Sequence, residues 1–288
     1  MNRVNFLYQL FFVLTLTSFL VSEEILTTKS LKLVSTSSAI TEILFKLDAG
    51  NQIIARDDSS KFPHQQISFI PVIKNGHGLD IHRIKAFKPT HLFIYENLVY
   101  AELVEYLSPD IQIIKVPYPT SLDDTFNMIE SISIYLNERE KAYNMMKNIY
   151  LKVIKSRNIA KKFKFIPSIT FLHAMNKNSI YTSGDGTLAN AFINEAGATN
   201  SFDKFNGYRN IDNLNIDQID SDLILVTSKT LSHLGGLNKI YQHQKLKHLK
   251  SVKRESLMVL DESCLNFGPR IGDFIYQLTM QLYHFQSI

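Results

Sequence analysis

From Asp123 to Phe163 the chain runs without a glycine or a proline. From Glu138 onward, apolar side chains recur at Ala142, Met145, Met146, Ile149, Val153 and Ile154, the rhythm of one helix face. A flexible hinge carries glycine, proline or serine clusters instead. This joint, 138–163, is therefore predicted to be one long stiff helix. Whatever lies on either side of it is held at a nearly fixed separation, with an open, wet cleft between.

The two sides are written to one plan. Before the joint, "LKLVSTSS" (31–38) predicts a strand ending in a hydroxyl-rich turn, and "AITEILFKLDAG" (39–50) a helix closed by a C-terminal glycine. "HLFIYEN" (91–97) and "IQIIKV" (111–116) predict two further buried strands. After the joint come a strand, "SITFLHA" (168–174), a helix, "GTLANAFINEAGATN" (186–200), and a strand within "NIDQIDSDLILVTS" (215–228). Laying "DIHRI" over "NIDQI" sets His82 opposite Asp217. Strands alternating with helices predict an α/β fold built on parallel sheets. Repetition of the order predicts two Rossmann-like lobes, at 30–137 and 164–288, with a ligand cleft between them. A hydrophobic content of 45% is enough for two cores of ordinary size.

Arg3 is the only charge among the first 22 residues, and Phe6–Val21 is almost wholly apolar or hydroxylated. That pattern predicts a secretory signal, 1–22, cleaved near Ser22, and places the mature chain in a periplasm. Losing Arg3 takes the formal net charge from +4 to +3. The densest basic run, "KSRNIAKKFK" (155–164), reads as a solvated helix face, so nucleic acid is not an expected partner. The lone Cys264 excludes an internal disulfide framework.

Three stretches carry chemistry. In "VIKNGHGLDIHR" (72–83), Gly76 and Gly78 free the backbone around His77 to approach a ligand. In "FLHAMNKNSIYTSG" (171–184), His173 and Met175 follow a strand end, where open α/β sheets bind ligands, and both are soft or borderline ligands for a transition metal. "NFGPR" offers Arg270 for a carboxylate and Phe267 for a flat ring face. Tyr95, Tyr181 and Tyr208 are further aromatic candidates, and "GYR" adds Arg209. A metal-dependent α/β enzyme is the reading from another class. It lacks a G-x-S-x-G elbow, a phosphate loop and an H-x-x-x-H pair joined to a carboxylate, and His243 and His248 are poorly spaced for a helix-borne metal.

Taken in order, "TEILFKLDAG", "HRIKAFKPTHLFI", the bridging helix, "YTSGDGTLANAFINEAGATN" and "NFGPR" resemble the helix-bridged periplasmic binding proteins of ABC importers. The haem-binding members are the nearest in look, and the siderophore- and cobalamin-binding members more distant. The resemblance implies a binding protein, not an enzyme. Such a protein, expected as a monomer, captures haem as transported cargo and hands it to a permease and its ATPase in the inner membrane. It implies that the loop before "RIKAFKP" holds the iron, with Asn75 at the usual tyrosine position and His77 at the following basic position. His77 and His173 are then the expected axial ligands, one from each lobe, and Tyr95 the reserve. Arg270 is expected to pair with a propionate. Permease docking falls, by the same resemblance, to His82 and Asp217, with Asp80 as a substitute and Glu42 and Glu195 as weaker alternatives.

Overall fold

A computed structural model describes residues 31–73, 79–216 and 219–284. The N-terminal lobe holds β1 (Leu33–Ser35), α1 (Ser38–Lys46), β2 (Ile53–Asp57), α2 (His64–Ile67), β3 (Val72–Ile73), α3 (Ile81–Ala86), β4 (His91–Tyr95), α4 (Ala101–Leu107), β5 (Gln112–Val116) and α5 (Leu122–Leu136). Its five strands form a wholly parallel sheet in the order β3-β2-β1-β4-β5. The bridging helix, α6 (Arg139–Ala160), follows directly.

The C-terminal lobe comprises β6 (Ser168–Asn176), β7 (Ser179–Ser183), α7 (Leu188–Glu195), β8 (Thr199–Asn200), β9 (Tyr208–Asn210), β10 (Leu223–Thr227), α8 (Ser228–Leu234), α9 (Asn238–Tyr241), α10 (Lys250–Lys253), β11 (Leu257–Leu260) and α11 (Ile271–His284). Its sheet runs β11-β10-β6-β7-β9, with β8 beside the start of β6. Here the expectation of parallel sheets holds only in part, because β7 runs antiparallel to both of its neighbours, β6 and β9. The two-residue turn after Asn176 sends β6 straight back as a hairpin, leaving no length for a crossover helix.

The joint is one unbroken helix. At 22 residues, α6 spans about 33 Å at 1.5 Å per residue. Asn137, in the left-handed conformation (φ 55°), ends α5 and lets α6 start in a new direction. The predicted apolar face is largely the observed one: Ala142, Met145, Ile149 and Val153 are buried, while Met146 and Ile154 are half-buried. That face lies in one core with Leu33 and Ile40 of the first lobe and Ile169, Phe171 and Ile275 of the second. Each lobe has a separate core on the far side of its sheet. The lobes are thus welded at their base by shared apolar packing.

Gly50 does not close α1. The left-handed turn falls at Asp48 (φ 60°), and Gly50 starts a short 3-10 turn instead. A Cβ there would lie 2.1 Å from Cδ1 of Phe45, so glycine is kept for close approach. Gly197, its counterpart after α7, does take the left-handed role (φ 79°).

Gly184, in "YTSGDG", has the same reason as Gly50. A Cβ at Gly184 would lie 2.0 Å from the carbonyl oxygen of Phe205, while its N–H donates to Gly207 O at 2.7 Å. Backbone cannot yield there cheaply, so Gly184→Ala should cost about 2 kcal/mol of stability. A thermal melt by circular dichroism checks this; an unchanged Tm would contradict it.

Candidate functional site

Strands β1, β2, β10 and β11 all point their carboxyl ends, and the residues that follow them, at the space between the lobes. A cavity of about 730 Å³ opens there, lined from one lobe by Ser38, Glu42, Asp58, Lys61 and Phe62, and from the other by His173, Lys229, Asp261 and Glu262. This is the position at which open α/β sheets bind ligands.

The loop after β2 is braced from below. Asp57, 3% exposed, accepts from Ser59 N at 3.0 Å and from the hydroxyls of Ser59 and Ser60. Ser60 Oγ is 2.8 Å from Thr41 Oγ1, which donates to Ser35 Oγ at 2.8 Å. Arg56 spends its donors on the carbonyls of Ile67, Asp57 and Ser60. A buried network satisfied in this way fixes the loop that presents Lys61 and Phe62.

His173 reaches the cavity because side chains alternate along β6: Leu172 and Ala174 enter the outer core, while Phe171 and His173 face the other way. It pairs across the hairpin with Tyr181, and the ring of Tyr208 lies 5.8 Å away. Burial, then the nearby His233 and Lys229, hold its pKa below the usual histidine value. His233 sits on α8, with Nδ1 2.7 Å from Ala174 O. Neutral imidazole is the metal-ligating form.

The pH dependence has a definite sign. An unfolded His173 takes its proton near pH 6.5, whereas the folded one resists until lower pH. Its contribution to stability, and its ligating form, are complete above the unfolded value and are lost as pH falls through the folded one. Proton NMR should therefore give a His173 midpoint below 6.5, and Lys229→Gln should move it upward. A wild-type midpoint at or above 6.5 would contradict this.

The structure corrects several expectations. Tyr95 is 8% exposed, hydrogen-bonds with Ser37, and has its phenol pushed far above the ordinary range by burial. It packs in the shared core and is not among the residues that line the cavity. Phe267 is fully buried in the shared core, its carbonyl accepting from Thr125 Oγ1 at 2.8 Å, so it offers no face to a ligand. Arg209 lies on the opposite side of its sheet from His173, paired with Thr182 and set 4.5 Å from the Phe205 ring centroid. Met175 is 72% exposed, beside the irregular end of β6. Arg270 does line the cavity, but its guanidinium is held bidentately by Glu42, at 2.8 and 2.7 Å.

Asn75 and His77 lie outside the described residues, as does Asp217. On α3, Asp80 caps the helix, accepting from Arg83 N at 3.0 Å, and His82 Nδ1 is 2.8 Å from Tyr106 Oη. Glu195 pairs with Arg157 of α6 at 2.7 Å. Tyr118 was not anticipated. It follows β5 in "KVPYP", 39% exposed, with its ring 5.0 Å from that of Tyr95, and after burial it is the next cause that raises the pKa of Tyr208 in the other lobe. Its strand-end position was the available signal. Among the described residues, no group of three His, Cys, Asp or Glu side chains is placed to hold a bare metal ion, and no helix is long and apolar enough to cross a membrane.

Two α/β lobes, one rigid connecting helix and an open cleft define a helix-bridged solute-binding protein. The chain belongs to the periplasmic binding protein family, whose model matches residues 33–264. Among solved structures it is similar to the apo periplasmic heme-binding protein RhuT of Roseiflexus sp. RS-1, at 22% identity and a TM-score of 0.81, covering 88% of this chain and 98% of that one. It is also similar to the periplasmic heme-binding protein BhuT in complex with two hemes (16%, TM-score 0.78, coverage 88% and 97%) and to HutB of Vibrio cholerae (19%, 0.76, 90% and 100%). No curated protein sequence matches the chain.

Proposed function

We propose that this protein captures haem in its interlobe cleft and delivers it to an ABC permease and its ATPase, working as a periplasmic monomer after removal of residues 1–22. The observation that carries the reading is His173: a half-buried imidazole kept neutral, within β6 and facing the cavity, beside the ring of Tyr208. Haem iron uses such a nitrogen, and a porphyrin face suits aromatic walls. Solved structures of the same fold that bind heme lend further support.

Within the same class, a ferric siderophore or cobalamin is the other reading. A siderophore that fills all six iron positions leaves none for His173, and an anionic one calls for unpaired cations. Here Arg270 is neutralised by Glu42, which leaves Lys61 and Lys229 as the unpaired lysines of the cavity among the described residues, two for the two propionates of a haem, and Asp58, Asp261 and Glu262 also line it. Haem fits this charge pattern better. The cleft is a place for binding rather than turnover.

With 13 tyrosines and no tryptophan, intrinsic tyrosine emission reports on the cleft. After correction for ligand absorption, hemin should quench it saturably and at lower concentration than cobalamin or a ferric catecholate. Saturation by either competitor with none by hemin would overturn the proposal.

A further inference from the structure

Glu42 and Arg270 lie 228 residues apart, one on α1 of the first lobe and the other just before α11. Glu42 is 4% exposed. Its Oε2 accepts from Arg270 Nε at 2.8 Å and its Oε1 from Nη2 at 2.7 Å, while Nη2 also donates to Ser263 Oγ at 2.7 Å. The guanidinium carbon lies 4.2 Å from the ring centroid of Phe62, on the braced loop after β2. Next to the pair, Asn266 Nδ2 donates to Ser38 Oγ, and a Cβ at Gly268 would lie 3.2 Å from that of Ala39. The segment that follows the last strand of one lobe is therefore fastened to the first helix of the other.

A guanidinium offers a carboxylate two forks. Glu42 occupies the fork made by Nε and Nη2. Ser263 takes the remaining Nη2 hydrogen, which spoils the fork shared with Nη1. A ligand carboxylate that displaced Glu42 would leave a buried, unpaired charge behind, a strongly unfavourable exchange. Lys61 and Lys229 differ. Both are exposed, both line the cavity, one comes from each lobe, and neither makes an ion pair among the described residues.

We propose that Glu42 and Arg270 form an interlobe clasp that sets the opening of the cleft, and that the ligand's carboxylates are met by Lys61 and Lys229 rather than by Arg270. Glu42 is the positioning residue, since it commits Arg270 to the scaffold. The clasp stands on the geometry alone; the lysine assignment rests on the haem reading.

The test has one arm for each part. Spin labels on Gln66→Cys and Lys239→Cys, both at exposed positions, report the interlobe distance in ligand-free protein. Glu42→Gln and Arg270→Lys should each broaden that distribution, and the double variant should broaden it no further. A distribution unchanged in both single variants overturns the clasp. Hemin and hemin dimethyl ester are then compared. Lys61→Ala with Lys229→Ala should weaken hemin about tenfold and leave the ester unchanged, while Glu42→Gln should shift both porphyrins by one factor. Selective tightening of hemin in Glu42→Gln would make Arg270 the propionate anchor and overturn the assignment. Failure of both porphyrins to bind sinks the lysine assignment together with haem, and the distance measurement still decides the clasp.

Discussion

Glu42→Ala is expected to lower the free energy of unfolding by about 3 kcal/mol, because it leaves the Arg270 guanidinium at the base of the cleft without its partner. The Glu42 side chain is 5% exposed and that of Arg270 22%, so water can make good only part of the loss. Urea unfolding monitored by circular dichroism measures it, as a fall in midpoint at constant slope. Removing both charges should cost far less: Glu42→Leu with Arg270→Met should recover most of the stability, since a buried ion pair and a well-packed apolar pair of similar volume are often close in energy. If Glu42→Ala unfolded at the wild-type midpoint, the pair would be a surface contact of no consequence, worth the few tenths of a kcal/mol typical of exposed bridges.

His173→Ala carries the second large effect. Loss of groups that merely orient a metal ligand costs about 10–100-fold in affinity, so loss of the ligand itself should weaken hemin about 100-fold. The Soret band of the residual complex should shift as the axial field changes, and added imidazole should restore part of both properties. Rescue distinguishes a lost ligand from a damaged wall. Binding and spectrum unchanged in His173→Ala would remove this residue from the iron. Met175, 72% exposed, should be replaceable by Ala with little change in either readout.

What the chain discloses about itself divides by range. The rod was legible because apolar spacing on one helix is a local property, and Ala142, Met145, Ile149 and Val153 are indeed its buried face. Strand β6 was legible too, and with it His173 beside the cavity, whereas Arg270, also on the cavity, lies beyond β11 just before α11 and was reached through the family resemblance. Partners were not. That Arg270 answers to Glu42 depends on a contact across 228 residues, which no short motif encodes. "NFGPR" reads as turning both Phe267 and Arg270 to the ligand, yet Phe267 sits at positive φ (46°) with its ring fully buried while Arg270 lines the cavity, so neighbouring residues of one motif have opposite fates. Arg209 shows how parity decides: in a strand, a shift of one residue changes the face, and the register with Thr182 puts it on the far side of the sheet. Gly50 reads as a helix stop but is kept for the ring of Phe45, while Asp48 makes the turn.

The central claim is that haem is the cargo and that His173 holds its iron from the C-terminal lobe. The most direct measurement is an absorption titration of the purified mature chain with hemin, with His173→Ala and His77→Ala alongside. Our account predicts a saturable Soret shift in the wild type that His173→Ala weakens and moves, and His77→Ala shows whether the sequence-derived ligand of the N-terminal lobe acts with it. Absence of any saturable shift in the wild type would contradict haem as the cargo and leave a two-lobed binding protein for another ligand.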